Sequence, residues 1–152
     1  MWGIIATWRM AVEGISEASH ILQEKGDAGD AIETAIKAVE DFPYYKSVGY
    51  GGLPNEEMEV ELDAAYMDGD TLSIGAVAAI KDFANPVSIA RRLSKEKVNN
   101  ILVGEGAEKF AHKESCGSMA RWRACRRASP STSSSTTAIR PSRSAMRACM
   151  SA

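Results

Sequence analysis

Residues able to do chemistry are few and scattered. Ser47 to Gly52 (SVGYGG) sets a hydroxyl beside Gly49, Gly51 and Gly52. Such a bend resembles a phosphate cradle only superficially: it lacks the Lys-Ser/Thr of a P-loop and the spacing of a dinucleotide fingerprint. Its glycines fit close backbone approach, and its serine could simply satisfy loop backbone groups. Gly104-Glu105-Gly106 is an equally weak nucleotide signature. Asp63 and Asp68 look like a carboxylate pair for acid/base work, yet five positions along a strand they point to opposite faces. One is therefore expected to bond neighbouring backbone and the other to cap a hairpin. Glu56, Glu57, Glu59 and Glu61 lack the Asp/Asn-Gly pattern of a calcium loop and fit an exposed hairpin face. His20 and His112 have no partners at ligand spacing. Cys116, Cys125 and Cys149 form no CxxC pair, so neither a zinc site nor a disulfide framework is expected, and no metal or other cofactor.

The chain's 152 residues, 45% hydrophobic and 25% charged with net charge −2, resemble one ordinary domain until they are divided. Residues 1–113 hold 11 of the 18 Lys+Arg and 19 of the 20 Asp+Glu, a net −8. Residues 114–152 are net +6, with seven Arg, ten Ser and, among the aliphatics Leu, Ile and Val, only Ile139. That tail is too poor in apolar side chains to offset the entropy of ordering it. Three readings stay open: an anion- or RNA-binding arm using Arg121, Arg123, Arg126 and Arg127 around Trp122, a solvated tail without function, or a shifted reading frame. No stretch reaches the roughly 18–20 apolar residues of a membrane span, and the apolar run Trp2 to Ala6 is too short for a secretory leader. A cytoplasmic location is the expectation.

The acidic portion has clear periodicity. Trp2 to Trp8 (WGIIATW) reads as a buried opening strand. Ala11, Val12, Ile15, Ala18, Ile21 and Leu22 recur at helical spacing, with Lys25 and Gly26 as the stop. A second helix follows a cap at Asp27 or Asp30; Ala31, Ile32, Ala35, Ile36, Ala38 and Val39 form its apolar stripe while Glu33, Lys37 and Glu40 face water, and it ends before Pro43. Residues 59–67 alternate as a strand, and residues 71–80 are apolar nearly throughout, as a strand covered on both faces would be. Asp68-Gly69-Asp70 joins them as a hairpin. Asn85-Pro86 opens a third helix with Asn as its cap, Ile101 to Val103 is a brief strand, and residues 104–112 form a last helix. The fold class is α/β with an adjacent antiparallel pair.

At this resolution the residues match a family. Thr7-Trp8, VEDFP at 39–43, SVGYGGLPN at 47–55, ELDAAYMDGD at 61–70, SIGAVAAIKDFANPVSIARRL at 73–93 and ILVGEGAEKFA at 101–111 closely resemble the N-terminal half of glycosylasparaginases, relatives of isoaspartyl peptidases and type 2 asparaginases. The resemblance covers residues 2–113 and implies the first half of an αββα sandwich of the N-terminal-nucleophile hydrolase type. It further implies an amidohydrolase that cuts itself before a threonine; the freed Thr attacks a side-chain amide with its own α-amino group as base. Trp8 matches the tryptophan lining the substrate pocket, and Met10 stands where the family often carries an aromatic. Ser47 matches the serine that lies near the nucleophile's amino group and assists self-cleavage. Met58 replaces a common turn glycine; if that backbone has φ > 0, the side chain would cost about 1 kcal/mol.

No His-Asp-Thr sequence is present, so no catalytic nucleophile is assigned and the chain alone is expected to be inactive. The expected partners are an asparagine-type or β-aspartyl small molecule, a second chain carrying the nucleophile, and a second protomer, since family members dimerise; no membrane is expected. The other reading is a noncatalytic assembly subunit, or one whose Arg-rich tail binds nucleic acid. Half of a sandwich should also expose one face of its sheet, leading to aggregation or to association that covers it.

Overall fold

The computed structural model describes residues 1–114 and Cys116. The remaining tail, with the Arg cluster, Cys125, Cys149 and Ile139, lies outside the described residues. Two helices come first, α1 (Val12–Gln23) and α2 (Ala28–Glu40). A hairpin of β1 (Leu62–Met67) and β2 (Ile74–Ile80) follows, then α3 (Pro86–Leu93), β3 (Ile101–Val103) and α4 (Glu105–Lys113).

Local chemistry sets most boundaries. The Asp30 N–H donates to Asp27 Oδ2 at 3.1 Å, making Asp27 the cap of α2. At the end of α1 the Gly26 N–H donates to Ile21 O at 2.8 Å and the Lys25 N–H to Leu22 O at 3.2 Å, the paired bonds of a Schellman stop. Lys25, not Gly26, occupies the left-handed position, with φ 63°. Asn85 does not cap α3 with its own side chain. Glu40, from the far end of α2, accepts the Val87 N–H instead, at 3.3 Å.

The sheet order is β1-β2-β3, with β1 antiparallel and β3 parallel to β2. Pairing runs from Met67 opposite Ile74 to Ala64 opposite Val77, then shifts at a bulge so that Leu62 faces Ile80. Leu62, Ala64, Tyr66, Val77 and Leu102 turn to one side, where Ile89, Ala90 and Leu93 of α3 and Ala107 and Ala111 of α4 pack on them. Gly75 lets α3 come this close, because a Cβ there would run into the Ala90 carbonyl. Ala18, Ala31 and Ala35, with Ile4, Ile21 and Leu22 around them, form a separate apolar cluster between α1 and α2.

Three expectations are corrected. Residues 2–8 form no strand: Ile5 is 94% and Trp8 71% exposed, and only Ile4 packs inward. A strand exists only through a neighbour's ladder of N–H and C=O groups, and no described strand runs beside this segment. The hairpin strands are also shorter than their apolar patterns, starting at Leu62 and Ile74 instead of residues 59 and 71. Finally, β2 is covered on one face only. Its other face carries Ile74, Ala76 and Ala78 between Ala65 and Met67 of β1 and Ile101 and Val103 of β3, of which Ile101 is 58% and Val103 61% exposed. Among the described residues both helices that pack on the sheet lie on the opposite face. The exposed sheet face expected of a half sandwich is therefore present.

Polar contacts join α2 to α3. Arg91 reaches Asp27 at 2.9 Å, Asp30 at 2.6 Å and Glu33 at 2.7 Å, with its guanidinium 5.8 Å from the centre of the Tyr66 ring. Glu33 also accepts from Ser88 Oγ at 2.5 Å, so it does not simply face water. Burial alone would raise its pKa; the bonds from Ser88 and Arg91 outweigh that and lower it. Glu40 departs further from the expected solvated position, being only 3% exposed. It takes the Asn85 amide at 3.2 Å besides the Val87 N–H, and burial lifts its pKa to about 7.

Four outcomes follow. Arg91→Met strands Glu33 in a half-buried site and should lower unfolding stability by about 2–3 kcal/mol in urea titration. Arg92→Met removes a half-exposed arginine that meets one carboxylate, Glu114, and should lower the midpoint less than Arg91→Met. Met58 has φ 62°, so Met58→Gly should raise stability by about 0.5–1 kcal/mol. Glu40 keeps its proton to about pH 7 when folded but releases it above pH 4.5 when unfolded. Stability should therefore fall as pH rises from about 4.5 through 7, by about 3 kcal/mol, and a flat thermal-shift profile across that range would contradict the burial.

Candidate functional site

The glycine bend is built on the end of α2. Gly49 has φ 65°, and a Cβ there would run into the Glu40 carbonyl oxygen. Both constraints select glycine, and they seat the short 3₁₀ turn Gly49–Gly51 directly on the Glu40 backbone. The turn closes through the Gly52 N–H to Gly49 O at 2.9 Å, and the loop through the Leu53 N–H to Lys46 O at 3.1 Å. Lys46 Nζ adds a bond to Gly51 O at 3.4 Å. Ser47 is thus held between two fixed points, Lys46 and Gly49, with its side chain exposed.

Tyr45 links the loop to the N-terminal segment. Tyr45 donates its hydroxyl to Met10 O at 3.5 Å, and its ring lies 4.6 Å from that of Phe42, which also meets Tyr44 edge-on at 5.7 Å. Met10 sits in the 3₁₀ turn Arg9–Ala11, which opens on the Trp8 carbonyl, the acceptor of the Ala11 N–H at 3.1 Å. Tyr45 therefore ties the Met10 backbone to the loop that carries Ser47. Trp8 projects into solvent, and its ring is enclosed by nothing among the described residues.

Asp63 and Asp68 stand apart from this region and from each other. Asp63 Oδ1 accepts the Ala79 N–H at 2.8 Å across the bulge, where Ala79 has φ 50°. Asp68 Oδ1 accepts the N–H groups of Asp70 at 2.9 Å and Thr71 at 3.0 Å, and those backbone bonds hold its pKa below the usual carboxylate range. Both carboxylates are committed to backbone, at opposite ends of β1, so they do not form an acid/base pair. Asp70-Thr71 is an Asp-Thr sequence without the preceding histidine. Its threonine is spent in the turn, where Thr71 Oγ1 donates to Ser73 Oγ at 2.9 Å.

Charge reading of the sequence missed Glu40, Asn85 and Arg91. Asn85 donates to both Glu40 and Asp41, the latter at 3.0 Å, and so fastens the start of α3 to the end of α2 beneath the glycine turn. The available signal was their place inside the quoted motifs VEDFP and NPVSIARR. Among the described residues no group of three His, Cys, Asp or Glu is placed to hold a metal ion, and no helix is long and apolar enough to cross a membrane.

Known proteins give these residues a context. The family model described as Asparaginase matches residues 6–129, running past the change of composition at residue 113. Over 108 residues the chain is 40% identical to N(4)-(beta-N-acetylglucosaminyl)-L-asparaginase of Elizabethkingia miricola, an alignment covering 71% of this chain and 32% of that protein. It is 43% identical over 103 residues to the isoaspartyl peptidase/L-asparaginase of Rattus norvegicus, covering 65% and 31%. A plant-type L-asparaginase of Pyrococcus horikoshii is 45% identical over 103 residues, covering 66% and 33%. The chain spans about a third of the length of these relatives. A match across most of its residues, including the Ser47 loop, the hairpin and α3, establishes that the chain belongs to the asparaginase family.

Proposed function

We propose that the chain supplies the N-terminal part of an amidohydrolase that cleaves the side-chain amide of asparagine-like or β-aspartyl compounds. The observation that carries this reading is the family match over residues 6–129. Supporting it, the Ser47 loop and the Trp8–Met10 segment are joined through Tyr45, as a shared site requires. The uncovered face of the β1-β2-β3 sheet fits the inner face of an αββα sandwich whose facing sheet comes from outside the described residues.

In this reading the nucleophile is an N-terminal threonine on a separate chain. Its hydroxyl is a poor nucleophile by itself, whereas an α-amine of pKa near 8 is a base available at neutral pH. Ser47, exposed and fixed from both sides, faces that amine and helps order it. Trp8 gains its enclosure when the partner docks and lines the substrate pocket. The chain alone binds no nucleophile and turns nothing over.

The test is an ammonia- and aspartate-release assay with L-asparagine, a β-aspartyl dipeptide and N4-glycosylated asparagine. The purified chain alone should match the blank. Adding a second chain that begins with threonine and resembles the rest of the relatives should restore release. Trp8→Ala should then lower kcat/KM at least about tenfold, the scale of losing one aromatic wall. Turnover by the single chain, or by a pair whose threonine is changed to alanine, would falsify the assignment.

A further inference from the structure

We propose that Glu40 is the positioning residue of the Ser47 loop, fixing where the serine stands relative to α3. Three independent contacts meet on this one residue. Its carboxylate accepts the Val87 N–H at 3.3 Å and the Asn85 amide at 3.2 Å, so the first turn of α3 is anchored to it. Its carbonyl lies against Gly49, where no side chain fits, so the turn after Ser47 is seated on it. The residue itself is 3% exposed, which leaves it no room to relax without moving one of the two. Displacing Glu40 therefore shifts the glycine turn and α3 together.

The residue is also the place where acidity reaches the loop. Burial disfavours its ionised form most strongly, and the bonds from Asn85 and Val87 work in the other direction. The charged groups acting on it are Asp41, which opposes ionisation, and Lys37, which favours it, both on its own stretch of chain. From α3 it is faced by the uncharged Asn85 amide and Val87 N–H, and from the glycine turn by the backbone of Gly49. Ionisation of Glu40 thus weakens the seat of the loop as the solution passes through neutrality.

Positioning of this kind is measurable without substrate. Its functional meaning rests on the proposed role of Ser47, but its test does not. Amide hydrogen exchange of the 152-residue chain, corrected for the intrinsic rate, should show the protection of Gly52 and Leu53 falling about tenfold between pH 6 and 8.5, from the span between the unfolded value of 4.5 and about 7. In Glu40→Gln, which has the same shape and cannot ionise, protection of those two amides should be independent of pH. A parent chain in which Val87 responds to pH while Gly52 and Leu53 do not would overturn the proposal and leave Glu40 as an anchor for α3 alone. The wild-type titration decides this even if Glu40→Gln is poorly folded. A failed amidase reconstitution with a normal exchange profile would instead count against the catalytic reading and leave the positioning intact.

Discussion

The apolar core is divided, and a polar joint holds its parts together. Ala18, Ala31 and Ala35 belong to one cluster, and Val77, Ile89 and Leu93 to another, with no residue in common. Between them run Arg91 with three carboxylates and Glu40 with Asn85 and Val87. Charged groups removed from water are costly unless paired and bonded, so these contacts specify one docking of α2 against α3 where apolar packing would tolerate several. The glycine turn inherits its position from that docking, because it rests on the same residue.

Elements whose stability is local were legible in the sequence. The Asp27 cap, the end of α1, Pro86 at the start of α3 and the Asp68 turn each depend on a few neighbouring residues, and each lies where its pattern places it. Trp2 to Trp8 has equally strong strand character, but a strand is a relation between segments, and no described strand runs beside this one. The continuous apolar pattern of β2 likewise implies two covered faces, whereas among the described residues one is covered.

The candidate site was legible in composition, and the groups that support it were hidden in burial. Ser47, Gly49 and Trp8 stand out by type and motif, whereas Glu40 sits on a helix where its spacing from Glu33 and Lys37 suggests a solvated face. Helical periodicity describes only the helix that carries it. The arrival of the α3 N-terminus, forty-odd residues later, converts a surface carboxylate into the capping group of another element. Asp63 and Asp68 have the composition of an acid/base pair, but their spacing along one strand already separates them, and backbone N–H groups at the bulge and the turn take both.

The bulge in the hairpin has a wider consequence. Since the two faces of a strand alternate residue by residue, Val77 and Ile80 of β2 can both face the helices only because two residues, Ala78 and Ala79, stand opposite the single residue Asp63 of β1, whose carboxylate accepts the Ala79 N–H. The carboxylate acts as a register lock. Sliding β1 by one position would break that bond, turn Ala65 and Met67 into the helical layer and put Leu62 in water. One acidic side chain at the edge of a three-stranded sheet thus decides which of its two apolar faces is offered outward.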